Sequence, residues 1–304
     1  MRVSTNSFYS FGANAMMQGQ SNLSQLQQQI STMKRVNNPS DDPIASAQIL
    51  QLNQSDGRNS QFITNTTAVD SALSTSSQTL QNTADLLGQL RTLAVSAGDG
   101  TLTTTNLQDL QAQAKQMFQT LVGYGNTRDG QGNYLFGGNA ISNTPFAFNS
   151  ATGVTTYQGD TGQRDVQVSP SSQISVTEVG SLVFGNGTQP TKSFDDVQQF
   201  INLLGQDPKP ANFGTQLSNV IGSLDGDQQR VLTANASIGA RQNQNQAVHD
   251  NDTSVGLQYQ TSLSGLQDLD MGKASSDLLM AQSALQYSQL VFQKVQGLSL
   301  FNKM

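Results

Sequence analysis

The stretch from about Asp277 to Leu298 constrains what the whole chain can fold into. Its apolar or small residues fall at Leu278, Ala281, Leu285, Ser288, Phe292 and Val295, in steps of three and four. That alternation is the seam of a coiled coil, because 3.5 residues per seam turn keep one stripe facing a partner helix. There is no Pro, and the stretch's single Gly, Gly297, comes at its end, so a long straight helix is predicted. Most of the remaining surface is Gln and Ser, and a helix with so narrow an apolar stripe buries too little to hold itself in water. It needs a mate. Near the other end, Met16, Leu23 and Ile30 form one series spaced by seven, and Leu26 and Met33 a second, offset by three. Antiparallel pairing of the two ends follows, which makes the chain a long helical hairpin.

Composition supports a chain meant to be covered by neighbours. Of 304 residues only 12% are charged and 35% hydrophobic; Gln, Asn, Ser, Thr and Gly make up much of the rest. The competing reading is a partly disordered polar protein. Net charge is −6 and Lys and Arg form no cluster, which argues against nucleic acid as a partner. Cys is absent, so there is no disulfide framework and no thiolate metal site. The opening MRVSTNSFYSFGANAMMQGQ has no apolar run of signal-peptide length, and no stretch is apolar for long enough to insert in a membrane.

In chain order, the first helix must stop near Arg35–Asn38, where RVNNPSDDP brings two prolines. Ser40 is read as the cap of the next helix, with Asp41 and Asp42 in its first turn and Pro43 tolerated there. From Ile44 to about Val95 the pattern is helical. Leu73, Leu80, Leu87 and Ala94 repeat every seven, with Phe62, Val69 and Leu90 on the adjoining seam. After Gly98–Gly100, Thr105 is a candidate cap for a helix carrying Leu107, Leu110, Ala114, Met117 and Leu121. The glycine-dense run 123–138 then predicts turns. Runs such as TPFAF, VTTYQ, RDVQVS and QISVTEV predict short antiparallel strands, with Asp160–Thr161–Gly162 as a hairpin candidate. Helical signals resume at Ser193, and from about Phe213 Leu217, Leu224, Val231 and Ile238 repeat every seven, with Val220 on the second seam.

These patterns predict a mainly α fold with a small β insert: terminal coiled-coil helices, a helical bundle and a protruding antiparallel β domain. The expected divisions are 1–40 with 265–304 for the terminal coiled coil, 41–139 with 190–264 for the bundle, and 140–189 for the β domain.

Chemistry finds little support. Adjacent Asp41 and Asp42 point about 100° apart on a helix, with no third ligand nearby, so a metal site there is disfavoured. The glycine run has no GxxxxGK[ST] and no strand-then-helix setting for phosphate. Asp225–Gly226–Asp227 resembles a fragment of a calcium loop without its closing Glu, and is read as solvated helix. His249 stands among Gln, Asn and Asp without visible partners, and is read as exposed. No catalytic, cofactor-binding or metal-binding residues are predicted.

The segment KRVNNPSDDPIASAQIL (34–50) resembles the N-terminal signature of the flagellin superfamily. MRVSTN, NYLFGGN (133–139) and SSDLLMAQSALQ…SLF at the C-terminal end resemble it too, and the SDDP form favours the hook–filament junction branch over the filament protein itself. The closing FNKM departs from the more apolar tail usual there. The resemblance implies a structural protein of the bacterial flagellum, extracellular and not an enzyme, that joins hook to filament; a divergent flagellin building the filament is the alternative. It implies terminal helices that line an axial channel and are largely disordered in the monomer. Export would be through the flagellar type III channel, without a cleaved signal peptide, with a chaperone on the C-terminal region. The implied partners are hook-associated protein 1 below, flagellin above, and further copies of the chain in a ring. On this reading Leu23, Leu26, Ile30, Met33, Leu278, Leu285, Phe292 and Val295 are the subunit-packing seam.

Overall fold

The heptads become helices of the predicted kind. The computed structural model describes the backbone of residues 5–301 and the side chains of Ser7 and residues 9–294. Its helices are α1 (Thr5–Thr32), α2 (Pro43–Ala97), α3 (Thr104–Gly125), α4 (Gly180–Val183), α5 (Lys192–Leu204), α6 (Phe213–Gln267) and α7 (Met271–Phe301). Between α3 and α4 lie four short strands, β1 (Phe146–Asn149), β2 (Val154–Tyr157), β3 (Asp165–Ser169) and β4 (Ser172–Ser175). At 55 residues each, α2 and α6 run for about 80 Å at 1.5 Å per residue.

The described residues divide into two compact units. One takes those up to Arg58 together with those from Val255 onward; the other is Asn59–Ser254. The division falls inside α2 and α6, whereas the sequence reading places its boundaries at the local breaks near residues 40 and 265. A Pro or Gly marks where a helix ends, but packing decides where a compact unit ends.

The larger unit owns the core. Leu73, Leu80, Leu87 and Ala94 of α2, Leu217, Leu224, Val231 and Ile238 of α6, and Leu107, Ala114 and Leu121 of α3 are all buried together. Phe194 of α5 lies at the centre of a ring cluster, 4.6 Å from Phe146 and 5.3 Å from Phe184 between centroids, with Phe118 at 6.4 Å. Amphipathic α5 and α3 pack on each other, and their apolar faces close this core.

The β insert forms two separate antiparallel hairpins, β1–β2 and β3–β4. Residues 160–162 are not a hairpin turn; they lie between β2 and β3. Asp160 Oδ1 instead accepts the Asn139 and Gly162 amides, at 2.7 and 3.0 Å. This explains the second glycine of NYLFGGN. Gly138 has φ +68°, and a Cβ there would sit 2.2 Å from Asp160 Oδ1.

Helix starts shift from the predicted caps for a common reason: a cap is chosen by geometry among several Ser, Thr and Asp neighbours. Thr103, not Thr105, caps α3 and forms a capping box with Asn106. The residue before α5 is Thr191, whose hydroxyl donates to Asp195, while Ser193 is buried inside the helix.

Candidate functional site

In the smaller unit α1 and α7 pack against each other antiparallel: residue 12 meets 292, and residue 19 meets 285. The half-buried face of α1 runs through Tyr9, Gly12, Met16, Gly19, Leu23, Leu26 and Ile30, and that of α7 through Leu278, Ala281, Leu285 and Phe292 below a buried Ala274. Both follow the three-four step. Two glycines on the α1 stripe, which the sequence pattern passed over, set how closely the helices approach. A Cβ at Gly12 would come within 2.9 Å of the Phe292 ring, and Tyr9 meets the same ring edge-on at 5.9 Å and 83°. A Cβ at Gly19 would lie 3.4 Å from Leu285 Cδ1.

This arrangement changes the meaning of the nominated seam. Leu23, Leu26, Ile30, Leu278, Leu285 and Phe292 lie on the stripe that faces the other terminal helix of the same chain. Met33 is off it. The last residue of α1 is Thr32, and Met33 takes a left-handed backbone with φ 56° and leaves its side chain 66% exposed. The side chain of Val295 lies outside the described residues. The exposed apolar residues of the two helices are a different set: Phe11 and Met17 on α1, and Leu279, Met280, Tyr287, Leu290 and Val291 on α7. The signal for them was in the sequence. Leu278–Leu279–Met280 and Leu290–Val291–Phe292 are runs of three apolar residues, and one seam buries only part of each.

The SDDP signature builds a clamp where the chain leaves α1. Arg35 N–H donates to Gln267 O at 2.7 Å, and Leu269 N–H returns a bond to Met33 O at 3.0 Å. The Arg35 guanidinium donates to Leu266 O at 2.8 Å and to Asp42 Oδ2 at 3.0 Å. Asp41 Oδ2 accepts the amides of Asn37 and Asn38, at 3.1 and 2.9 Å. Asp42, rather than Ser40, caps α2 by accepting the Ala45 amide at 3.0 Å, with Pro43 as the first helical residue. The Ala45 amide and the Arg35 side chain hold the Asp42 carboxyl below its ordinary value. The two aspartates thus organise backbone. For Arg35→Gln the expected result is local: amides at 33–36 and 267–269 exchange at least about tenfold faster, while those of the larger unit's core are unchanged.

Two further readings change in the larger unit. His249 is half-buried: its Nδ1 lies 2.9 Å from Thr66 Oγ1, whose own hydrogen goes to Ile63 O. Asp227 is not solvated. It is fully buried and paired with Arg230, whereas Asp225 reaches Arg91 nearer the surface. Among the described residues no three His, Asp or Glu side chains gather into a metal-binding set, and no helix is long and apolar enough to cross a membrane.

Residues 3–140 match the family model described as the bacterial flagellin N-terminal helical region. Flagellar hook-associated protein 3 of Salmonella typhimurium is 27% identical over 317 aligned residues that cover 99% of both chains. The chain resembles hook-associated protein 3 from end to end. The Escherichia coli protein of that name matches at the same 27% and the same coverage. Among solved structures, a hook-associated protein from Vibrio parahaemolyticus aligns with a TM-score of 0.68 at 20% identity, over 75% of this chain and all of that one. The flagellar junction protein from Legionella pneumophila aligns at 0.59 and 20%, over 74% of this chain and all of that one. These two share the fold: a long helical scaffold with a small β insert.

Proposed function

We propose that the chain is a structural junction protein of the bacterial flagellum, connecting the hook to the flagellin filament. The observation that carries this is the end-to-end similarity to hook-associated protein 3, which includes both terminal helices. The alternative, a flagellin that builds the filament itself, is less supported, because the full-length relatives carry the hook-associated name. The role is structural rather than enzymatic.

The finer reading assigns work to each part. Residues 1–40 and 265–304 act as the assembling domain, 41–139 with 190–264 as the bundle, and 140–189 as the β domain. In the smaller unit, Val36, Ala45 and Ala274 are the only apolar side chains buried among the described residues, and none is large. Ordering a residue costs about 1–2 kcal/mol of backbone entropy, so helices with so little buried draw their stability from neighbours. That supports terminal segments that are disordered in the monomer and order in the assembly. It also suits export of an unfolded thread without a cleaved signal peptide, with a chaperone covering the C-terminal helix. The partners in this reading are hook-associated protein 1, flagellin and further copies of the chain in a ring.

Deleting the gene tests the role. Bare hooks with flagellin spilled into the medium are the expected result. Bare hooks with no flagellin in the medium would make this chain the filament protein, and normal filaments in a strain without a second copy would sink both readings.

A further inference from the structure

Where α5 meets α6, the core contains a cluster of ionisable groups that the junction role does not use. Asp227 of α6 has no exposed surface and Asp196 of α5 is 6% exposed. Lys192 Nζ donates to both oxygens of Asp196, at 2.8 and 2.6 Å, so its charge is already committed. Arg230 pairs with Asp227 through Oδ1. That leaves Asp227 Oδ2, Ser193 Oγ and Arg230 Nε buried with no partner in full hydrogen-bond geometry; the Ser193 hydroxyl is near enough to favour the charged carboxyl, but less than Arg230 does. An unpaired carboxylate oxygen in an apolar interior is costly, and the group relieves the cost by taking a proton.

We propose that docking of α5 onto α6 is proton-linked: the contact closes with a proton on Asp227, so α5 is held more tightly on the acidic side of neutrality than on the alkaline side. The groups that act on this carboxyl are Asp196, Lys192 and Ser193 from α5 and Arg230 from α6 itself. Burial, and then the negative charge of Asp196, push Asp227 from the ordinary 3.8 up to about 7. When α5 lifts away, Asp227 meets water and returns towards 3.8. The docked state then binds the extra proton throughout the window between those two values. Its stability is greatest below the window, falls as pH rises through it, and is flat above about 7. Burial also raises Glu178, Asp195 and Asp252, which tilt stability the same way. Asp42 and Asp99, held low, act only below the window. The linkage does not depend on the junction role.

The test is hydrogen exchange of the α5 amides in the full chain, corrected for the intrinsic rate. Between pH 5 and 7 the opening equilibrium should rise about fifty-fold in the parent protein. Asp227→Asn, whose amide stands in for the protonated acid, should lose most of that rise and keep only the slope that Asp195 supplies, while Asp109→Asn, at an exposed position on α3, keeps the parent slope. A second readout covers the case in which Asp227→Asn does not fold. In the parent protein, one ¹³C-labelled aspartate carboxyl should titrate with a midpoint close to 7. A flat parent profile, an unchanged slope in Asp227→Asn, or aspartates that all titrate below pH 6 would overturn the proposal.

Discussion

A strain carrying Leu285→Asp is expected to swim no better than the deletion strain, and to release flagellin into the medium. Leu285 lies on the α7 stripe opposite Gly19, where the two helices come close enough for its Cδ1 to approach the α1 backbone. Aspartate loses roughly 1–2 kcal/mol of apolar burial at this half-buried site, and adds a charge that must be desolvated or turned outward. The loss would be modest in a large core. Here it is severe, because the unit has so few buried side chains to spare. The core of the larger unit lies elsewhere in the chain, so its cooperative unfolding, followed by circular dichroism on the purified variant, should match the parent. Normal incorporation into flagella would show that pairing of α1 with α7 is not required. Loss of the larger unit's transition would show that the two units do not fold independently.

Phe194→Ala should do the reverse. Phe194 is fully buried and its ring lies against Phe146 and Phe184, with Phe118 edge-on beyond. Removing a core phenylalanine costs about 3–5 kcal/mol, because the ring's contacts are lost and the space is only partly refilled. Whole domains are stable by about 5–15 kcal/mol, so the midpoint of urea unfolding should fall by a large fraction of its value. Phe11→Ala removes the same side chain from a position 75% exposed, and should leave that midpoint where it was. A small shift for Phe194→Ala would mean that the aromatic cluster collapses to fill the hole.

The two variants separate the assembling ends from the folded body, and that distinction is partly legible in the sequence. Leu73, Leu80, Leu87 and Ala94 on one helix and Leu217, Leu224, Val231 and Ile238 on another announce faces that must be covered, and the structure buries every one. The sparser stripes of Met16, Leu23 and Ile30 and of Leu278, Leu285 and Phe292 announce ends that bury far less. Periodicity of this kind is local chemistry: it depends on which residues share a helical face, and a heptad can be counted without coordinates. The SDDP signature is local in the same sense, and its aspartates do cap backbone, although the capping residue proved to be Asp42.

What covers each face is another matter. The matching stripes of the two ends predict that α7 pairs with α1 of the same chain, as it does, but not which apolar residues stay outward: Met280, Tyr287 and Val291. Met33 fits the heptad count, but the last residue of α1 is Thr32, one residue short of it. Arg35 finds Leu266 across 231 residues of chain, and Asn59 finds Asp252 across 193. Asp227 looked solvated beside Asp225 and a glycine, and His249 looked solitary among amides. The covering of Asp227, and the Thr66 partner of His249, come from helices remote in the sequence. The sequence alone therefore determined the helices, their apolar faces and the family resemblance, because those depend on neighbours within a turn or two. The apolar residues left outward on the terminal helices, the clamp at Arg35 and the burial of Asp227 were decided only by the tertiary structure, because burial and long-range pairing are properties of what arrives from elsewhere in the chain.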